Sequence, residues 1–144
     1  MKLRLATIAV LLSIWADVVT AQPHIVTAAE ANGVYSGPHH GKIRILALGH
    51  QKLRVQIDAF YEYHNQCGKA ANFGTFDGIA RIDSNVAVLS NLDFPGCTFR
   101  LDFLEDYRLK VTQDGDENDC DFGQNVNATG IYKKVKGGKP KFDN

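Results

Sequence analysis

The chain lacks any apolar run long enough to cross a membrane as a helix. A helical span takes about 20 residues, and the apolar stretch Ala6 to Trp15 is half that. It also lacks an excess of charge of either sign, with 16 Lys and Arg against 16 Asp and Glu. Nucleic-acid binding needs a clear basic surplus to neutralise phosphates, so no nucleic-acid partner is expected. Histidine spacings that hold zinc are missing: His24, His39, His40, His50 and His64 form no HxH or HExxH pattern. No metal and no cofactor are expected. No arrangement of nucleophile, base and orienting group stands out, so the chain does not read as an enzyme. No stretch keeps a long helical period, which excludes an all-α fold.

What is present begins with a leader. Met1-Lys2-Leu3-Arg4 is basic, the apolar run follows, and Val19-Thr20-Ala21 supplies the small residues of a signal-peptidase site. Cleavage after Ala21 leaves one domain, 22–144, with 14 basic and 15 acidic residues once Lys2, Arg4 and Asp17 are gone. Without a second apolar span the protein is expected outside the cytoplasm, in a periplasm or extracellular, with no stable membrane anchor. Lys133 to Lys141 carries the one basic cluster, and its end, 136–144, reads as a solvated, disordered tail.

Cysteine is scarce but informative. Three in an exported chain mean one disulfide and one leftover thiol, or an intermolecular bridge. The pairs available are Cys67–Cys97, Cys67–Cys120 and Cys97–Cys120. Thr98 to Phe103 and Tyr107 to Thr112 both alternate apolar with polar around the polar turn Leu104 to Asp106. In such a hairpin the start of one strand lies beside the end of the next, which favours Cys97–Cys120. Cys67 is then free, and the chain is a monomer or a dimer linked through Cys67.

Alternation recurs throughout. Gly33 to Gly37, Lys42 to Leu48, Leu53 to Tyr63, Thr75 to Ile82, Val86 to Ser90, Cys97 to Phe103, Tyr107 to Thr112 and Ala128 to Val135 read as short strands separated by turns. Leu53, Val55, Ile57, Ala59, Tyr61 and Tyr63 share one face of the longest run, while Arg54, Gln56, Asp58 and Glu62 give it a wet side. Asn65 to Asn72 reads as a polar loop. Gly33-Val34-Tyr35 and Gly130-Ile131-Tyr132 echo each other as first and last strands meeting at a seam. The expected fold is all-β: an antiparallel up-and-down barrel of about eight strands with one disulfide. Ile25 to Asn32 is mildly helical, a single turn at a barrel mouth or a loose lead.

Asp114-Gly115-Asp116-Glu117-Asn118-Asp119-Cys120-Asp121 lacks the order of an EF-hand, so its carboxylates read as a solvated loop or as a recognition element for a cationic partner. Asp114, Asp116, Glu117, Asp119 and Asp121 are the candidate binding residues. Asn127-Ala128-Thr129 is a glycosylation sequon in a eukaryotic host.

Cys97-Thr98-Phe99-Arg100-Leu101, then Cys120-Asp121-Phe122-Gly123-Gln124-Asn125-Val126, then Gly130-Ile131-Tyr132-Lys133 resembles the C-terminal pattern of small exported bacterial lipocalin-like barrels. Phe99 stands where that pattern has its first Leu. The resemblance implies the barrel and the disulfide more than an activity. Some similar domains act as inhibitors of lysozyme-like wall hydrolases, although Val34-Tyr35-Ser36-Gly37 is not the Ser-Gly-x-x-Tyr loop of one such group. The expectation is an exported, non-enzymatic binding protein, an inhibitor or immunity-type partner of a secreted or periplasmic hydrolase. The alternative is a lipocalin-like carrier holding a small apolar ligand among inward Tyr61, Tyr63, Phe99, Phe103, Tyr107 and Tyr132.

Overall fold

The computed structural model describes residues 24–143, so the expected leader lies outside the described residues. Among them eight strands form one sheet: β1 (Gly33–Ser36), β2 (Lys42–Gly49), β3 (Lys52–Asn65), β4 (Gly68–Asp83), β5 (Val86–Ser90), β6 (Thr98–Leu104), β7 (Arg108–Asp114) and β8 (Gly130–Gly137). Each pairs antiparallel with the next, and β1 pairs with β8, so the sheet closes into the expected barrel. The seam is the one the repeated Gly-x-Tyr marked, with Tyr35 opposite Lys134 and Val34 opposite Lys136. Closure matters because an open sheet this size would present two unpaired edges.

Alternation works as a sorting rule in this barrel. Tyr35, Ile43, Ile45, Val55, Ile57, Leu89, Phe99, Leu101, Leu109, Val111 and Tyr132 all point inward, each at most 1% exposed. Their surfaces leave no room for water between them, so the interior is a packed core and not a cup. Phe99 is central, its ring 4.8 Å from Phe76 in an edge-to-face pair and 6.0 Å from Phe122. Cys97 and Cys120 are joined, with Cα atoms 5.0 Å apart.

One mouth is closed by α1 (Ala28–Ala31), a single turn started by a capping box between Thr27 and Glu30. A turn this short does not hold itself. Buried Ala31 and the Tyr35 hydroxyl, which donates to the carbonyls of Glu30 and Ala31 at 3.0 and 2.9 Å, fasten it to the barrel. Ala47 N–H donates to the Asn32 side chain at 2.6 Å, and Val26 N–H donates to the Ser84 carbonyl at 3.1 Å. Lys134 reaches beneath α1 to the Glu30 carbonyl, and burial holds its ammonium below the usual lysine value.

Three sequence expectations need correction. Asn65 to Asn72 is not a loop: β3 and β4 stay paired out to Asn65 opposite Gly68, leaving only Gln66 and Cys67 as the turn. Backbone pairing carries these polar and small residues, which present no alternating apolar face to read. Tyr107 does not point inward but stands 64% exposed in the β6–β7 turn at φ 56°; Tyr61 and Tyr63 are only partly covered. The basic end is not free chain either. Lys136 and Gly137 pair with β1, and the segment beyond turns back so that Phe142 lies under Arg54 and Asp143 meets Arg44 and Gln56. Part of the supposed wet side of β3 is therefore covered.

Two buried tyrosines tie stability to pH. Burial pushes the Tyr132 phenol from 10.0 up to about 12 and raises Tyr35 further, burial first and the Glu30 charge second. A raised phenol pKa leaves stability whole below about 10, where both states are protonated; it is then lost as the unfolded chain ionises and the folded one resists. The two phenols contribute no slope to the unfolding free energy from neutral pH to about 10 and lower it between about 10 and 12, against a rising contribution from Lys134, whose lowered ammonium gives up its proton in the fold before the unfolded chain does. Urea titrations across that window test this, and Tyr132→Phe should flatten the alkaline limb.

Candidate functional site

The mouth opposite α1 gathers the irregular structure. It holds the 3-10 turn Pro38–His40, the tip of the β3–β4 hairpin, the β5–β6 connection and the long connection from β7 to β8. That last connection contains the acidic loop, and its fastening explains its shape. Cys120 is bonded to Cys97 at the start of β6. Phe122 drops into the core against Gly74, where a Cβ would come within 2.2 Å of the ring, so only glycine lets the loop lie this close. Gly123 N–H donates to the Phe73 carbonyl at 3.0 Å, and Asn72 donates to the Gln124 carbonyl at 2.8 Å. Gln113 ties the two ends: its amide donates to the Gly115 carbonyl at 3.1 Å and accepts from Ala128 N–H at 2.9 Å.

The five candidate carboxylates divide by what they touch. One oxygen of Asp116 accepts from the N–H groups of Asn118 and Asp119 at 2.8 and 3.0 Å, and Asp119 accepts from Asp116 N–H at 3.0 Å. These are reciprocal caps on the loop's own backbone, the local bonding that short acidic side chains favour in turns. Glu117 lies 3.5 Å from Asn125 N–H. Among the described residues Asp114 and Asp121 make no side-chain hydrogen bond, and both are exposed. Asp116 and Asp119 are exposed as well, so bonding alone divides the set: Asp116 and Asp119 brace the loop's backbone, and Asp114 and Asp121 are the pair not engaged by it. Gln113 went unnoticed in the sequence, and its only signal is its place at the foot of the loop.

This division predicts a contrast. Asp116→Ala is expected to cost about 1 kcal/mol by stranding two donors and to speed amide exchange over 116–122. Asp114→Asn and Asp121→Asn should leave thermal unfolding within about 0.5 kcal/mol of the parent. Asn also suits the left-handed backbone at 121, where φ is 54°.

Beside the loop stands the β3–β4 arm. β2 pairs with β3 only as far as Asp58, and β5 pairs with β4 only from Ala80 onward, so the ribbon beyond projects past the barrel rim. Phe60 faces Phe73 across it, Phe73 being 68% exposed. On the other face the rings of Tyr61 and Tyr63 stack at 6.3 Å. Cys67 is exposed in the turn, its N–H donating to Asn65 at 2.9 Å. Loop and arm make one surface: carboxylates on a disulfide-pinned base, with aromatic rings alongside. Among the described residues no three His, Cys, Asp or Glu converge as metal ligands would. Such a surface can recognise a cationic, partly apolar protein face. No protein-family model, curated protein or solved structure matches this chain.

Proposed function

We propose that the protein is an exported, non-enzymatic binding protein that acts as an inhibitor or immunity-type partner of an extracytoplasmic wall hydrolase such as lysozyme. The observation that carries this reading is the acidic loop held by Cys97–Cys120 and laid against the foot of the aromatic arm. A preformed surface keeps the ordering cost of association low. Acidic groups at its rim speed encounter with a basic target. The disulfide supports an oxidising compartment, in keeping with the leader-like N-terminus and the resemblance to exported lipocalin-like barrels. The inward side chains, each at most 1% exposed, support a function on the surface over one inside the barrel.

The test is lytic activity of lysozymes and wall amidases in the presence of the purified protein. Stoichiometric inhibition at micromolar concentration is expected, weakening in salt as screened charges do. Asp114→Asn with Asp121→Asn should weaken it about tenfold at unchanged stability. If every hydrolase stays fully active, the inhibitor reading fails.

A further inference from the structure

The outer wall around β8 carries charge that the barrel does not use. Leu109 and Tyr132 point inward, so Arg108 and Lys110 on β7, and Ile131 and Lys133 on β8, point outward. Arg108 lies directly opposite Lys133, and like charges so placed destabilise a sheet. On the other side of β8 the register shifts where Val34 and Tyr35 pair with Lys136 and Lys134, leaving Val135 as the extra residue. Lys139 and Lys141, both exposed, continue the wall on the segment that runs from β8 to Arg44 on β2. Among the described residues Arg108, Lys110, Lys133 and Lys136 make no ion pair, whereas Arg44, Arg54 and Arg100 each do. Two acids lie among these cations. Asp102 stands opposite Lys110 but is held by Arg100, and Asp106 lines a recess of about 280 Å³ with Tyr107, Lys133, Val135 and Lys136.

Apolar groups are interleaved with the charge. Ile131, Val135 and Tyr107 are 47%, 63% and 64% exposed. A polyanion in water would neutralise the lysines and leave these side chains wet. A bilayer with anionic headgroups satisfies both: the cations meet phosphates while the aliphatic and phenolic groups enter the interface. Topology gives the docked protein a direction. β7 runs from Arg108 to Asp114 at the acidic loop, which sets that loop about 20 Å along the strand. The surface that attracts the wall repels the loop. In a closed ring of eight strands β3 and β4 lie across from β7 and β8, so the aromatic arm is held away as well.

We propose that the outer wall of β7, β8 and the segment after it docks reversibly on an anionic phospholipid bilayer, holding the acidic loop away from the membrane. The wall is separate from that loop, and the proposal does not rest on the inhibitor reading.

The test uses the chain from Gln22 to Asn144 and its sedimentation with loaded vesicles. Vesicles of phosphatidylcholine with about 30% phosphatidylglycerol should carry it down at low salt and release it at about 0.5 M salt, while pure phosphatidylcholine should not bind it. Lys136→Ser is expected to weaken partitioning about fivefold, and Val135→Ser about threefold. Lys133→Glu separates binding from folding. It gives Arg108 an opposite charge across the strands, so Tm should rise by about 1–3 °C while partitioning falls about twentyfold. A polarity-sensitive dye attached after Val135→Cys, in a chain carrying Cys67→Ser, should shift to the blue on vesicles, whereas the same dye on native Cys67 should not. The proposal is overturned by no binding to the anionic vesicles at low salt, by binding that Lys133→Glu leaves unchanged, or by a blue shift at Cys67 in place of Val135. Equally tight binding to heparin that Val135→Ser does not weaken also overturns it, and assigns the wall to a soluble polyanion.

Discussion

Replacing Phe99 with alanine is expected to lower the unfolding free energy by about 3–5 kcal/mol, the range for truncating a buried aromatic. Phe99 is 0% exposed, and it lies opposite Leu89 on β5 and Gln113 on β7. Its ring sits between Phe76 of β4 and Phe122 of the acidic loop. The substitution removes about 2–3 kcal/mol of transfer free energy and leaves a cavity that closed strands cannot collapse into. Domains of this size have about 5–15 kcal/mol in total, so the variant should be close to unfolding at physiological temperature. Urea denaturation measures it as a fall in midpoint at constant slope, and Phe99→Leu, which keeps most of the volume, should cost under about 1.5 kcal/mol. A loss below about 1 kcal/mol for the alanine variant would mean that the ring does not fill the barrel. Because Phe122 leans on the same ring, amide exchange in 116–126 should rise before that of β2 and β3. The core position and the candidate site are coupled through a single aromatic contact.

How far the sequence could be read follows from where side chains carry the signal. β2, β6, β7 and the barrel half of β3 were legible because every second residue must be apolar to fill the interior. The seam was legible because Tyr35 and Tyr132 begin strands in the same way and both end buried. The disulfide was legible from hairpin geometry, since Thr98 pairs with Asp114 and brings Cys97 beside the loop that contains Cys120. The arm was not, because residues 65–72 pair through backbone groups alone and their side chains alternate between nothing in particular. The tail was not, because Lys-Phe-Asp says nothing of where it lands, and Gln56 looks like any polar residue on a wet face until Asp143 covers it. In the candidate site the charge was legible but the division of labour was not. Asp116 and Asp119 face their own backbone, a distinction of orientation that composition does not hold.

Removing the disulfide, as Cys97→Ala with Cys120→Ala, is expected to cost about 3 kcal/mol. The bridge spans 23 positions, and in the chain-entropy account its main effect is to restrict the unfolded chain. At this chain length that corresponds to a fall in Tm of about 10 °C, measured by calorimetry. The barrel should survive, since β6 and β7 stay paired from Thr98–Asp114 to Leu104–Arg108 without it. The loop is another matter. Without Cys120 it keeps Phe122, Val126 and the bonds to Asn72 and Phe73, so it loosens at its acidic end first. Thiol chemistry gives an independent check. Cys97 and Cys120 are 0% and 1% exposed, whereas Cys67 stands in the open turn of the arm. A thiol reagent should modify one cysteine per native chain quickly, and reductant should release the other two only as fast as the loop opens. Rapid titration of three thiols in mild reductant at 25 °C would place the bridge in an open surface. The parent protein heated in reductant should reproduce the lowered Tm of the double alanine variant, because both lack the same constraint on the unfolded chain.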